Sequence, residues 1–149
     1  MKGLRISSAS FGYGETIPER YTGYGKDTSP PLVIENIPEG TKSLVLWLDD
    51  PDALFGVFTH WIVYNIPPSK TRFDEDEKLN YPHAKNDFGD FRYQGPHPPA
   101  GKPHRYHFKV YALDEELHIS EGSDKREVKK LMAGHVIDEA TLVGVYGRK

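Results

Sequence analysis

Asp50, Asp52, His60, His104 and Tyr106 can all exchange protons or hydrogen bonds, and each sits at the end of a strongly apolar run. Ser43-Leu44-Val45-Leu46-Trp47-Leu48 leads into Asp49-Asp50-Pro51-Asp52. His60 opens Trp61-Ile62-Val63-Tyr64-Asn65-Ile66. His104 opens the run Arg105 to Leu113, with Tyr106 near its start. Charge at the rim of a core is costly unless it is paired or used. Three runs ending this way point to one shared pocket. Such a group can do acid–base work, hold a metal or donate hydrogen bonds to an anion.

Spacing separates these chemistries. His104 and His107 fall on opposite faces of a strand and should not share a metal. Asp50, His60 and His104 could meet in space as two imidazoles and a carboxylate. No zinc-ligand spacing is present, and no helix carries two histidines at a ligand interval. Cysteine is absent, which excludes disulfides and thiol catalysis. There is no nucleophile elbow and no glycine-rich nucleotide loop between a strand and a helix. The expectation is a binding pocket with no metal and no cofactor.

Each motif also has a plainer reading. Asp50-Pro51-Asp52 is a proline turn whose carboxylates point to different sides, one toward turn amides and one toward a cavity. By itself it also reads as a turn with solvated acids. His60 in Thr59-His60-Trp61 also reads as a satisfied core histidine. Gly95-Pro96-His97-Pro98-Pro99-Ala100-Gly101 has few backbone states. It could present backbone N–H groups and the His97 ring to an anion, or be a rigid structural turn.

The elements that position these residues are mainly β. Short apolar runs alternate with Gly, Pro, Asn and Asp clusters. Strands are predicted at Leu4–Ser7, Leu32–Ile37, Ser43–Asp49, His60–Ile66, Tyr106–Leu113 and Leu142–Tyr146, with Glu15–Ile17 as a short edge strand. Along 104–113 one face holds His104, Tyr106, Phe108, Val110 and Ala112. The other holds Arg105, His107, Lys109, Tyr111 and Leu113. This places His104 at the mouth of a core and Tyr106 just inside. Residues 43–48 and 61–66 are apolar on both faces and read as central strands. One helix is predicted, capped by Ser123, with Val128, Leu131, Met132, His135 and Val136 on one face and its end near Asp138–Ala140. Gly134 would lie inside it, implying close packing or a kink. The proline-rich stretch 67–103 is long for a loop. Phe88, Phe91 and Tyr93 predict that it is ordered and packed, with Asp74-Glu75-Asp76-Glu77 as a solvated patch.

A chain of 149 residues is expected to form one domain, residues 1–149. The formal net charge is -3, which gives no attraction for nucleic acid or an acidic membrane. No apolar stretch reaches the length of a membrane span. The start Met1-Lys2-Gly3-Leu4-Arg5 lacks a signal-peptide core. A cytoplasmic location is the expectation.

The motifs, taken in order, resemble the phosphatidylethanolamine-binding protein family, which includes the Raf kinase inhibitor proteins and prokaryotic relatives. They are Lys26-Asp27-Thr28-Ser29-Pro30-Pro31-Leu32, Asp50-Pro51-Asp52-Ala53, Thr59 through Pro67, Asn86-Asp87-Phe88-Gly89, Tyr93 through Pro99, and His104-Arg105-Tyr106. The ending from Gly134-His135-Val136 to Arg148 resembles the prokaryotic branch. The resemblance implies a β-sandwich of antiparallel sheets with a Greek-key connection and one or two peripheral helices. It also implies a small anion pocket for phosphate, acetate or a phospholipid head group, at Asp50, Asp52, His60, Gly95, His97, His104 and Tyr106. His97 departs from the family pattern, where many prokaryotic members carry Cys and animal members Gly. An imidazole there would narrow the pocket or add a donor. The long C-terminal helix of animal members, which closes over their pocket, has no counterpart in this pattern.

On this reading His60, His104 and Tyr106 donate to the anion, and Asp50 orients and charges a histidine. The expected function is a regulatory protein that binds a small anionic ligand. The alternative is inhibition of a serine protease or kinase through surface loops. Ester hydrolysis comes third, because no nucleophile or metal site supports it. The prokaryotic branch makes a homodimer plausible, although no sequence stripe demands one.

Overall fold

The computed structural model describes residues 3–119 and 122–148. Two antiparallel sheets form the frame. The first has the order β1 (Arg5–Ser7), β2 (Leu32–Glu35), β5 (Arg72–Phe73). The second has the order β4 (Phe58–Ile66), β3 (Ser43–Asp50), β6 (His104–Leu113), β7 (Val136–Tyr146). A single 3-10 turn, Glu19–Tyr21, and one α-helix, α1 (Lys125–Met132), complete the regular structure of the described residues.

The predicted alternation on β6 is present. Tyr106, Phe108, Val110 and Ala112 are buried, facing Ile6, Leu32, Ile34 and Phe73 of the smaller sheet. β3 is buried along its whole length because both its faces are covered. Leu44, Leu46 and Leu48 join the core between the sheets. Val45 and Trp47 join a second core under α1, with Val128 and Met132. β4 is equally apolar, yet it is not central. It is the edge of its sheet, and the segment after Pro82 covers that edge. Tyr64 N–H donates to the Pro82 carbonyl at 3.0 Å, and Ala84 N–H donates to the Ile62 carbonyl at 3.1 Å. An edge strand covered this way has the same two-sided burial as an interior one.

The helix is shorter than its periodicity predicts. Asp124, not Ser123, is the N-cap, and its carboxylate accepts from Glu127 N–H at 3.0 Å. The helix ends at Met132. Ala133 is already out of helical geometry at ψ 126°, and Gly134, with φ +83° and open space where a Cβ would sit, completes the turn out of the helix rather than packing inside it. His135 and Val136 are in helical phase only by coincidence. β7 therefore starts six residues before the predicted Leu142. Asp138 and Glu139 broke the alternation that would have revealed it. The Asp138 carboxylate accepts from Leu4 N–H at 3.0 Å.

The 67–103 stretch is ordered by a few anchors. Tyr93 is buried and its hydroxyl donates to the Tyr21 carbonyl at 2.6 Å. Phe88 and Phe91, expected to pack inward, remain 42% and 43% exposed. The acidic patch is partly tied down. Glu75 accepts from the Tyr21 hydroxyl at 2.5 Å, and Glu77 pairs with Lys70 at 2.6 Å. No helix among the described residues is long and apolar enough to cross a membrane.

Candidate functional site

The register of the larger sheet brings the polar residues together. Asp49 lies opposite His107 across β3 and β6. The next positions carry Asp50 alongside Tyr106 and His104, on the face that looks into the sandwich. Across β3 and β4, Asp50 lies opposite Phe58, two residues from His60. At this end of the sheet a cavity of about 220 Å³ opens. Asp50, His60, His104 and Tyr106 line it, together with Phe58 and Phe88. Ala53, Leu54, His97, Pro98 and Pro99 form the rest of its wall. Drug-sized ligands occupy pockets of about 300–1,000 Å³, so this one suits a smaller molecule.

Asp50 is the fixed point of the cavity. It is buried, and its Oδ1 accepts from Asp52 N–H at 2.8 Å. Its Oδ2 accepts from His104 Nδ1 at 2.6 Å. This fixes the His104 ring with Nδ1 turned to the carboxylate and Nε2 as its other polar atom. The Tyr106 hydroxyl is buried and has no hydrogen-bond partner among the described residues. Burial and the neighbouring Asp50 carboxylate raise its pKa, so the phenol keeps its proton and remains a donor.

His60 differs from the expectation. Its Nδ1–H donates to the Gln94 carbonyl at 2.8 Å. Burial pushes its pKa below the usual range, outweighing that carbonyl and the Asp50 charge. His60 is therefore neutral at pH 7, and its Nε2 carries a lone pair instead of a proton. It can donate toward a ligand only after it is protonated. The ring is held among aromatic edges, with its centroid 5.2 Å from Phe58, 5.3 Å from Phe88 and 5.6 Å from Tyr106.

This makes stability depend on pH in a definite direction. The unfolded chain binds a proton at His60 near pH 6.5, more readily than the folded chain does. The contribution of neutral His60 is therefore present above the unfolded-chain value of about 6.5 and is lost as pH falls from there through the lower pKa of the folded chain. Urea denaturation at pH 8 and pH 5 should show a smaller loss of stability in His60→Gln than in the parent. Equal losses would contradict the assignment.

Asp52 and Gly95 do not line the cavity. Asp52 turns outward and holds Arg105 through two side-chain contacts, at 3.0 and 2.9 Å, and one backbone N–H at 2.9 Å. These contacts lower its pKa to about 2. The two carboxylates thus point to different sides of the turn, with Asp50 the one that faces the cavity. Gly95 gives its N–H to Asp27 Oδ1 at 2.7 Å. Pro96, Pro98 and Pro99 have no N–H to offer. Gly95 and these prolines therefore offer no free N–H to an anion, and His97, Pro98 and Pro99 of the run line the cavity.

Residues that the sequence reading did not assign complete the site. Phe58 lies 4.8 Å from Phe88, ring centroid to ring centroid, and the pair flanks His60. Asn86 builds the turn that places Phe88. Its Oδ1 accepts from Phe88 N–H and Asp90 N–H, each at 3.0 Å. Its Nδ2 donates to the His60 and Arg92 carbonyls at 3.2 and 3.0 Å. An Asn followed by Gly89 was the available signal for this turn. Asp49 points to the opposite face of β3, buried against Trp47 Nε1 at 2.7 Å and the Thr59 hydroxyl at 2.8 Å.

Comparison with known proteins agrees with this geometry. The profile described as Phosphatidylethanolamine-binding protein matches residues 7–147. A UPF0098 protein of Pyrococcus horikoshii is 48% identical over 98% of this chain and 77% of its own length. The structure of CT736 from Chlamydia trachomatis, described as a phosphatidylethanolamine-binding protein homolog, superposes with a TM-score of 0.94. It is 37% identical, over 99% of each chain. Escherichia coli YbcL, described as a new member of the mammalian family of that name, has a TM-score of 0.91 at 32% identity. That match covers 99% of this chain and 100% of YbcL. The sandwich, the cavity at its end and these matches together place the chain in the phosphatidylethanolamine-binding protein family.

Proposed function

We propose that the cavity binds a small oxyanion, a phosphate or carboxylate, either free or on a head group, and that the protein regulates a partner through that binding. The observation that carries this reading is the Tyr106 hydroxyl, a buried donor without a partner beside the Asp50–His104 pair. Buried polar groups in native proteins are nearly always hydrogen-bonded. An anion entering the cavity would accept from Tyr106 and meet Nε2 of His104. Asp50, already accepting from Asp52 N–H and His104, is held by protein donors. The lone pair of neutral His60 favours a ligand that still carries a proton, such as a monoprotonated phosphate.

Tyr106→Phe tests the reading in two directions. It removes a donor that the ligand uses and that the empty protein cannot satisfy. Phosphate affinity, measured by calorimetry, should fall about fivefold for the loss of a hydrogen bond worth about 1 kcal/mol. Stability of the unliganded protein, measured by urea denaturation, should stay level or rise by up to about 1 kcal/mol. A clear loss of stability with unchanged phosphate affinity would assign the hydroxyl a structural role and remove the observation.

A second reading, inhibition of a protease or kinase by surface contact, draws on a different observation. Leu54 and Phe55 are 84% and 98% exposed, beside half-exposed Val57 and Phe88. Such a cluster is a candidate protein-contact surface. Inhibition that survives Tyr106→Phe but fails in Phe55→Ser would favour it.

A further inference from the structure

We infer that His97 sets the size of ligand the cavity accepts, acting as a fixed steric wall and not as a hydrogen-bond donor. This inference rests on the anion-binding reading above. His97 lines the cavity between Gly95, which is locked from behind, and Pro98 and Pro99, which continue the wall. Its side chain is exposed, yet three contacts from residues 23 and 24 hold the run that carries it. Gly23 N–H donates to the Pro96 carbonyl at 2.8 Å. The Tyr24 hydroxyl donates to the Pro98 carbonyl. Between them the Tyr24 ring stacks on the imidazole, centroids 4.3 Å apart and planes 20° apart.

The seat for the ring is built into the sequence. A Cβ at position 23 would come within 2.6 Å of His97 Cδ2, so only glycine leaves the imidazole room there. Tyr24 is itself braced. Arg148 lies 4.9 Å over its ring, and Tyr146 stacks at 6.2 Å. A side chain clamped on one face and braced from behind cannot swing aside for a larger ligand without breaking the stack. An aromatic pair is worth about 0.5–1.5 kcal/mol beyond its area. A wall held this way excludes by shape.

The test compares two probes, inorganic phosphate and glycerophosphoethanolamine, by calorimetry on the parent, His97→Ala and His97→Phe. The readout is the ratio of the two dissociation constants. In the parent the larger probe should bind more weakly than phosphate. In His97→Ala the ratio should move about tenfold in favour of the larger probe. In His97→Phe, which keeps a flat ring for Tyr24 but no donor, the ratio should stay at the parental value. A parental ratio in His97→Ala would overturn the inference. So would loss of binding of both probes in His97→Phe, because that would make the imidazole a donor. If the parent binds neither probe, the anion-binding reading itself fails, and with it this inference.

Discussion

His104→Ala is expected to weaken phosphate binding about 30-fold, the largest effect of any single change at the cavity. Two terms act in the same direction. The change removes Nε2, the ring atom left for the ligand once Nδ1 is committed to Asp50. A hydrogen bond between charged or strongly polar partners is worth about 1.5–3 kcal/mol, and about 1.4 kcal/mol is a factor of ten in affinity. The change also leaves the buried Asp50 carboxylate without its nearest donor. The uncompensated charge then repels an incoming anion and lowers stability. Adding Asp50→Asn removes the repulsion but does not restore the ring nitrogen. The double variant should therefore recover part of the affinity, and the coupling between the two sites should be non-additive. Calorimetry on the parent, both single variants and the double variant measures that coupling. Strict additivity would mean that the 2.6 Å contact plays no part in binding.

Gly95→Ala should be the most destabilising substitution near the site, by about 3–4 kcal/mol, at or above the top of the usual range of about 0.5–3 kcal/mol for single changes. The methyl group would lie 2.0 Å from the Tyr21 carbonyl oxygen, a backbone atom that cannot move aside cheaply. It would also come within 2.8 Å of the Tyr93 hydroxyl and 3.0 Å of Asp27 Oδ1. Those are the groups that anchor the run. Tyr93 donates to that same carbonyl, and Asp27 accepts the Gly95 N–H. Urea denaturation of the variant gives the number. A cost below about 1 kcal/mol would show that the close packing of Gly95 on Tyr21 is not needed. The glycine looks like a ligand-binding residue in the sequence because it lies in a Gly/Pro motif beside His97. In the structure it sits where two loops pack closely, against the Tyr21 carbonyl and Asp27.

The contrast between these residues shows what the sequence revealed and what it left hidden. Period-two alternation along β6 revealed which face is buried and put His104 at its mouth, because a strand side chain's direction follows from its position. The paired ends of β3, β4 and β6 followed from where apolar runs stop. Asp50, His60, His104 and Tyr106 do line one cavity. The partners of Asp52 and Gly95, Arg105 and Asp27, were not legible because a sequence does not show which group claims a carboxylate or an amide. The charge state of His60 was hidden for a related reason. Burial and the Gln94 carbonyl decide it, and both come from the folded loop. The helix end was misplaced because His135 and Val136 continue a helical period by chance. The backbone leaves the helix at Ala133, where ψ is 126°, and turns through the left-handed Gly134. The edge position of β4 was hidden because a covering loop gives an edge strand the apolar pattern of an interior one.

The same comparison changes the chemistry of the pocket. The motif set pointed to a collection of donors around an anion. The geometry gives one unpartnered donor, Tyr106, and one imidazole fixed by a carboxylate, His104. It also gives one neutral imidazole, His60, with a lone pair to offer. Aromatic rings from Phe58 and Phe88 keep this small polar set in a largely apolar surround. Such a surround strengthens each hydrogen bond to a ligand and makes any unmade one more costly.

The most direct test is an NMR titration of the isotope-labelled protein with inorganic phosphate, following the histidine ring nitrogens and the backbone amides. The account predicts saturable shifts at His60 and His104 and at the amides of Asp50 and Tyr106, all fitting one dissociation constant. His135, clamped at the far end of the molecule between Asp114 and Glu115, should not respond. Shifts that stay linear with phosphate, or that appear equally at His135, would contradict a phosphate site in this cavity.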